Sequence, residues 1–272
     1  MEKIRVNVLH TGTVTVDVAL PFKQRTINPI AYTGILRSRK HQVTLPVSAY
    51  LIEHPKGLVL VDTGWGKEIR GDQRAYLGNF HYKINKGILP EGMAVDEQLA
   101  ARGIQVSDID CVVLSHLHTD HASGLKLVAG AKRILTSREE LEGAKADKAR
   151  YVHHMWEGVN LKTFEFADSE LGPMRKAYDL FGDGSLLFVW VPGHTKGLVC
   201  TMVCNNGRYL MLNSDCGYSR RSWQEMIMPG VCVNRRQLRD SLLWERDMAA
   251  SPACIDALAN HDADISPCVI EV

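Results

Sequence analysis

Ser115-His116-Leu117-His118-Thr119-Asp120-His121 follows the apolar run Cys111-Val112-Val113-Leu114 and leads into Ala122-Ser123-Gly124-Leu125. Four potential metal ligands, His116, His118, Asp120 and His121, fall within six residues in the order H-x-H-x-D-H. Imidazole and carboxylate are donors that suit Zn²⁺ and similar borderline ions. If the backbone leaves a strand at Leu114 and bends, alternate side chains can converge on one point while the next pair reaches a second. Two adjacent points of that kind are what a two-metal hydrolytic site needs. A His-rich loop can also be merely polar and exposed. Here the motif sits at a strand end and has partners downstream.

Those partners close three later elements. His194 follows the strand expected at 186–191, after Pro192-Gly193. Asp215 follows the strand at 208–213, and His261 follows a segment at 256–260 that reads as helical or turn-like. At element ends, side chains from several strands can meet at one edge of a sheet. Upstream, Val61-Asp62-Thr63-Gly64 ends a hairpin. Asp62 either caps that strand in an Asx-type turn or holds a ligand histidine by its other ring nitrogen; we favour the second.

With these residues together, the chain resembles the metallo-β-lactamase-fold hydrolases over about 45–265. The resemblance implies an α/β (α+β) fold, a four-layer αβ/βα sandwich with metals at the rim between two sheets. It implies that His116, His118 and His194 hold one metal, that Asp120, His121 and His261 hold the second, and that Asp215 bridges. Diiron flavoproteins of this fold carry Glu where this chain has His118, so imidazole there favours two Zn²⁺ ions, with other divalent metals also accepted. Neighbouring residues near a strand end point opposite ways, which makes Asp215 the ligand and Cys216 a packed thiol. Asp215-x-x-Tyr218, together with the overall layout, resembles the N-acyl-homoserine lactonases. A phenol at 218 can donate to a substrate carbonyl or its developing oxyanion.

The implied function is opening of a lactone ring by a hydroxide bridging the two metals, with Asp120 carrying a proton to the leaving alkoxide. A glyoxalase II-like thioesterase or another esterase of the fold is the alternative. Such a thioesterase carries a basic recognition region, for which little room follows His261; Arg235, Arg236 and Arg239 could mimic part of it. A non-catalytic metal-binding module would not need the intact ligand set.

The remaining features set bounds. The chain has 272 residues, read as a single domain over 1–272, with 45% apolar and 23% charged residues. A formal net charge of +1 gives no case for nucleic acid or an anionic membrane. The resemblance implies a small-molecule lactone or ester as the partner, and a homodimer is compatible. No apolar run approaches the roughly 20 residues of a membrane span, and no secretory signal opens the chain. Seven cysteines without paired spacing fit a reducing, cytoplasmic setting.

Hairpins are expected at 3–19 around Thr11-Gly12, at 45–61, and at 198–213 around Asn205-Asn206-Gly207. Helices are expected at 94–102, from 122, at 237–250, and from a Ser137-x-x-Glu140 capping box to about 149. A last strand is expected at 268–270. Residues 65–95 lack periodicity and read equally as a lid or a packed excursion. Residues 151–156 and 223–233 could shape an acyl pocket, although core packing explains such stretches more often. His10, His41, His54, His81, His153 and His154 read as surface or loop residues, and Cys200 and Cys204 as core thiols on one strand face.

Overall fold

A strand that is apolar at both parities has no face to give to water and must be covered on both sides. Leu45, Val47 and Leu51 on one face, and Tyr50 and Ile52 on the other, are all buried. The computed structural model describes residues 3–272. Its strands are β1 (Arg5–Asp17), β2 (Gln42–His54), β3 (Gly57–Val61), β4 (Lys86–Ile88), β5 (Ile109–Val113), β6 (Ile134–Ser137), β7 (Leu161–Phe164), β8 (Ala167–Asp168), β9 (Lys176–Asp179), β10 (Leu186–Trp190), β11 (Val199–Asn205), β12 (Arg208–Leu212), β13 (Cys254–Leu258) and β14 (Val269–Glu271). Its α-helices are α1 (Gln73–Ile84), α2 (Val95–Ala101), α3 (Thr119–Ala122), α4 (Arg138–Ala146), α5 (Arg220–Gln224) and α6 (Arg235–Ala249).

Two sheets result. One runs β14-β1-β2-β3-β5-β6-β7, with β4 also on β1; the other runs β13-β12-β11-β10-β9-β8. Val6, Val8, Tyr50, Ile52, Val59 and Val113 of the first meet Phe188, Val199, Val203 and Leu210 of the second. The outer face of the first sheet packs Leu51, Leu60 and Val112 with Leu77 of α1, Leu99 of α2 and Ala144 of α4. The outer face of the second packs Val189, Cys200 and Met211 with Trp223 of α5 and Leu238 and Leu242 of α6. The layers are therefore helix, sheet, sheet, helix, as the resemblance implied.

β3, β5 and β6 are mutually parallel, as are β12 and β13. Their C-terminal ends therefore deliver the motif, Asp62, Asp215 and His261 to one rim. Backbone bonds fix the sheets to each other there: Val199 N–H donates to the Ser115 carbonyl at 3.2 Å, and Ser48 N–H to the Asn260 carbonyl at 3.0 Å.

Three expectations are corrected. The hairpin at 3–19 is one strand, β1, whose pairing with β2 shifts between His10 and Thr13. Gly12, at φ 92°, serves that bulge rather than a reversal; a Cβ there would lie 2.3 Å from the Ile88 carbonyl oxygen of β4. Residues 256–260 are not helical: most lie in β13, a parallel edge strand on β12, too short and half-exposed to show alternation. In the box at 137–140, Ser137 Oγ does accept from Glu140 N–H at 3.1 Å, but the Glu140 carboxylate turns inward instead of back to Ser137. The turn at Asn206 (φ 50°) and Gly207 (φ 75°) matches expectation. No helix among the described residues is long and apolar enough to cross a membrane.

Candidate metal centre

The seven donors singled out in the sequence come together in two clusters. His116, His118, His194 and Asp215 place one ligand atom each within 4.8 Å of one another, and so do Asp120, His121 and His261. In the first, His118 Nδ1 lies 3.1 Å from His116 Nε2 and 3.0 Å from His194 Nε2. In the second, His261 Nε2 lies 3.5 Å from Asp120 Oδ2. Asp215 spans the two. Its Oδ2 is 3.8 Å from His116 Nε2 and 3.6 Å from His194 Nε2. Its Oδ1 is 3.2 Å from both His121 Nε2 and His261 Nε2. One carboxylate thus offers one oxygen to each cluster, which is the geometry of a bridge.

On His116, His121 and His261 the nitrogen turned away from the clusters is held. Asp62 Oδ2 accepts from His121 Nδ1 at 2.8 Å, from the Ser115 hydroxyl at 2.8 Å and from Asn260 Nδ2 at 3.0 Å. Its Oδ1 accepts the Ser115 N–H at 2.8 Å. Asp62 itself sits at φ 61°, a conformation that Asp tolerates better than most side chains. It therefore orients a histidine of the site, as read from the sequence. His261 Nδ1 donates to the Pro46 carbonyl at 2.8 Å, and His116 Nδ1 is 3.1 Å from Ser115 Oγ. Fixing the outer nitrogen fixes which lone pair faces inward.

The electrostatics differ between the clusters. Burial, and then the neighbouring imidazoles, hold His116 and His118 well below the usual histidine value. Burial pulls His194 down to about 4. All three therefore present neutral lone pairs to one point. At His121 burial also opposes charge, but the Asp215 and Asp62 carboxylates outweigh it and raise the value. His261 is raised in the same way by Asp215. Inside this shell His121 Nε2, His261 Nε2 and Asp215 Oδ1 are buried yet make no hydrogen bond. Buried polar atoms without partners are rare and call for an explanation. A pair of divalent cations supplies one: the atoms are ligand types, they converge, and their outer partners are in place. The residues fit two metals.

Above the clusters, Tyr218 stacks on His261, with centroids 4.9 Å apart and planes at 18°. Burial, and then the charges of Asp215 and Asp120, hold its phenol well above the usual value, so it stays an O–H donor. Tyr218, His118 and Asp120 floor a cavity of about 110 Å³ whose other walls include Val14, Val16, Leu20, Tyr32, Phe80, Ile84 and Val231. Its polar lining beyond the floor is His81, Asn85, Thr119 and Arg150, the last within 3.2 Å of Asp147.

Residues 43–211 match the metallo-beta-lactamase superfamily. The chain belongs to that superfamily. Among curated superfamily relatives, an N-acyl homoserine lactonase, AttM of Azorhizobium caulinodans, is 28% identical over 249 residues, covering 86% of this chain and 92% of the relative. AttM of Agrobacterium fabrum is 28% identical, covering 74% and 80%. Among solved structures, an N-acyl homoserine lactone hydrolase with N-hexanoyl-L-homoserine at its metal centre superposes with a TM-score of 0.75 at 20% identity, covering 96% and 94%. The dizinc lactonase AidC superposes with 0.64 at 19% identity, covering 96% and 88%. At that identity the superpositions show the shared fold.

Within this superfamily member, the other readings sort by packing. Cys216 is fully buried against the α6 side of its sheet, away from the clusters, with Cys200 in the same core and Cys204 packed against it. Residues 65–95 hold a short 3-10 turn, α1 and β4. α1 starts on an Asp72 cap (Ala75 N–H to Oδ1, 3.0 Å) and breaks at Gly78, so no helical stripe forms. Phe80, His81, Ile84 and Asn85 line the cavity, so this stretch is a wall of the site and His81 is not a surface residue. His54 is also buried, stacked on Phe181 at 4.4 Å. Of the two suspected acyl stretches, Met155 and Trp156 belong to the core and Val231 alone reaches the cavity. Tyr32 brings to the cavity the irregular stretch 21–40, which reads from sequence as a loop over the surface or over a site. The sequence reading missed Val14, Val16 and Leu20 as lining. It also missed Ser115, Asn260 and Glu140 as supports; a Ser-x-x-Glu pattern reads as a local cap and gives no sign that the acid at 140 turns inward.

Proposed function

We propose that the chain is a dinuclear-zinc hydrolase that opens the ring of N-acyl-homoserine lactones or related lactones. The observation that carries this reading is the pair of ligand clusters joined by Asp215 beneath an apolar cavity whose floor includes Tyr218. The two AttM relatives, named as N-acyl homoserine lactonases, support it over 86% and 74% of the chain. His116, His118, His194 and Asp215 would hold one ion, and Asp120, His121, His261 and Asp215 the other. Five imidazoles among the seven donors favour zinc over harder cations. When bound, such a pair supplies a water of pKa near 7 and Lewis-acid polarisation of a carbonyl.

The chain's own residues do the rest. Tyr218 donates its O–H to the substrate carbonyl oxygen, a bond that strengthens as charge grows on that oxygen. Asp120, partly open to the cavity, accepts a proton and returns it to the departing alkoxide oxygen. The walls from Val14 to Phe80 exclude water and bind an acyl chain through apolar burial. A glutathione thioester would ask for several cations. Among the lining residues Arg150 is the one Arg or Lys, and it is already near Asp147. Hydrolysis of acyl-homoserine lactones by the purified, zinc-loaded protein tests the reading; turnover of a thioester alone would replace it.

A further inference from the structure

Glu140 has no part in the ligand set, yet it is fully buried. Its Oε1 accepts the Leu117 N–H at 3.0 Å and the Tyr151 hydroxyl at 3.1 Å. Its Oε2 accepts the Gly197 N–H at 3.1 Å. Leu117 is the residue between His116 and His118, and Gly197 lies three residues after His194. The Tyr151 ring stands 5.3 Å from that of His118. The approach is close: a Cβ on Gly197 would fall 2.1 Å from the Glu140 nitrogen and 2.2 Å from Ser137 Oγ. Ser137 Oγ also donates to the Gly197 carbonyl at 2.8 Å.

We propose that Glu140 is the positioning residue of the first cluster: one buried carboxylate ties the His116–His118 turn to the loop that carries His194. The inference rests on the metal-site reading above. An ionised carboxylate accepts on both oxygens, whereas an amide must present NH₂ to one of these N–H groups. Glutamine therefore cannot hold both loops, although it fills the same volume. A residue serving only the start of α4 would turn back to the Ser137 N–H, and Glu140 does not. His118 Nδ1 stands 3.1 Å from His116 Nε2 on its own loop and 3.0 Å from His194 Nε2 on the other loop that Glu140 joins, so slack between the loops is slack between ligands.

The test compares the unmodified chain with Glu140→Gln and Tyr151→Phe, all loaded with Co²⁺. Three quantities are read: the visible ligand-field bands, the chelator concentration that strips each ion, and the melting of the metal-free form. For Glu140→Gln we expect altered bands and about 10–100-fold easier loss of one of the two ions, the usual cost of removing a partner outside the ligand shell. Tyr151→Phe should shift the same bands less. Unchanged bands and chelator midpoints in Glu140→Gln overturn the proposal, even if its melting temperature falls, because a merely structural role predicts that pattern. If Glu140→Gln does not fold, unchanged bands in Tyr151→Phe overturn it. An unmodified chain that binds no Co²⁺ overturns the metal reading itself, and is told apart by failing before any substitution is made.

Discussion

The two ends of the cavity are built on opposite principles. At the metal end the donors follow strand ends or sit on the short helix after β5, and the outer nitrogens of His116, His121 and His261 are bound again, by Ser115, Asp62 and the Pro46 carbonyl. At the other end the walls come from β1 beyond its bulge, from the irregular segment around Tyr32 and from a helix broken at Gly78. Phe80 there remains 52% exposed, while His116, His121 and His194 are fully enclosed. One end holds its ligands with hydrogen bonds from outside; the other offers apolar surface, part of it exposed. Changes at the first end should therefore strike turnover, and changes at the second should strike substrate preference.

The largest expected effect is at the bridge. Asp215→Ala removes an oxygen from each cluster and leaves His121 and His261 facing each other, so metal content should fall below two ions and turnover should drop to background; elemental analysis beside a lactone assay reads both. Asp120→Asn should keep the fold but reduce turnover by about 10³-fold or more, as a ligand and proton carrier is lost together. Near-normal turnover with both ions bound would remove Asp120 from the mechanism. Tyr218→Phe deletes a single donor to the developing oxyanion and should lower kcat by about 10²-fold. A change confined to KM would instead make the phenol a binding contact.

Smaller effects belong to the far wall. Ile84→Ala and Phe80→Ala should leave metal content and kcat on short acyl chains unaltered. Each should weaken kcat/KM on long chains by about tenfold, the scale of a methylene or two of lost burial. An equal loss on short and long chains would mean that this wall supports the metal floor after all, and the contrast between the two ends would fail.

The same contrast explains what could be read in advance. The metal end is legible because its chemistry admits few residue types. His and Asp at strand ends do not substitute freely, so H-x-H-x-D-H, His194, Asp215 and His261 stand out before any coordinate is known. Even the role of Asp62 follows, because a ligand histidine needs its other nitrogen held. The far wall is written in residues that any core could use. Val14 and Val16 alternate as strand residues do, but their facing depends on the bulge at Gly12, which reads as a turn. α1 buries only Leu77 among its own residues, so it shows no apolar stripe to find. β13 was hidden for a related reason: a five-residue edge strand beside a parallel neighbour carries too little pattern. Glu140 was masked by a capping box that satisfied the local rule.

Proton release on mixing the zinc-loaded protein with N-acyl-homoserine lactones of several chain lengths, run beside a thioester and a phosphodiester, tests the central claim most directly. Ring opening yields a carboxylate and a proton, so the account predicts acidification with the lactones that depends on bound metal and grows with acyl length until the cavity is filled. Metal-dependent acidification with the thioester and none with any lactone would contradict it.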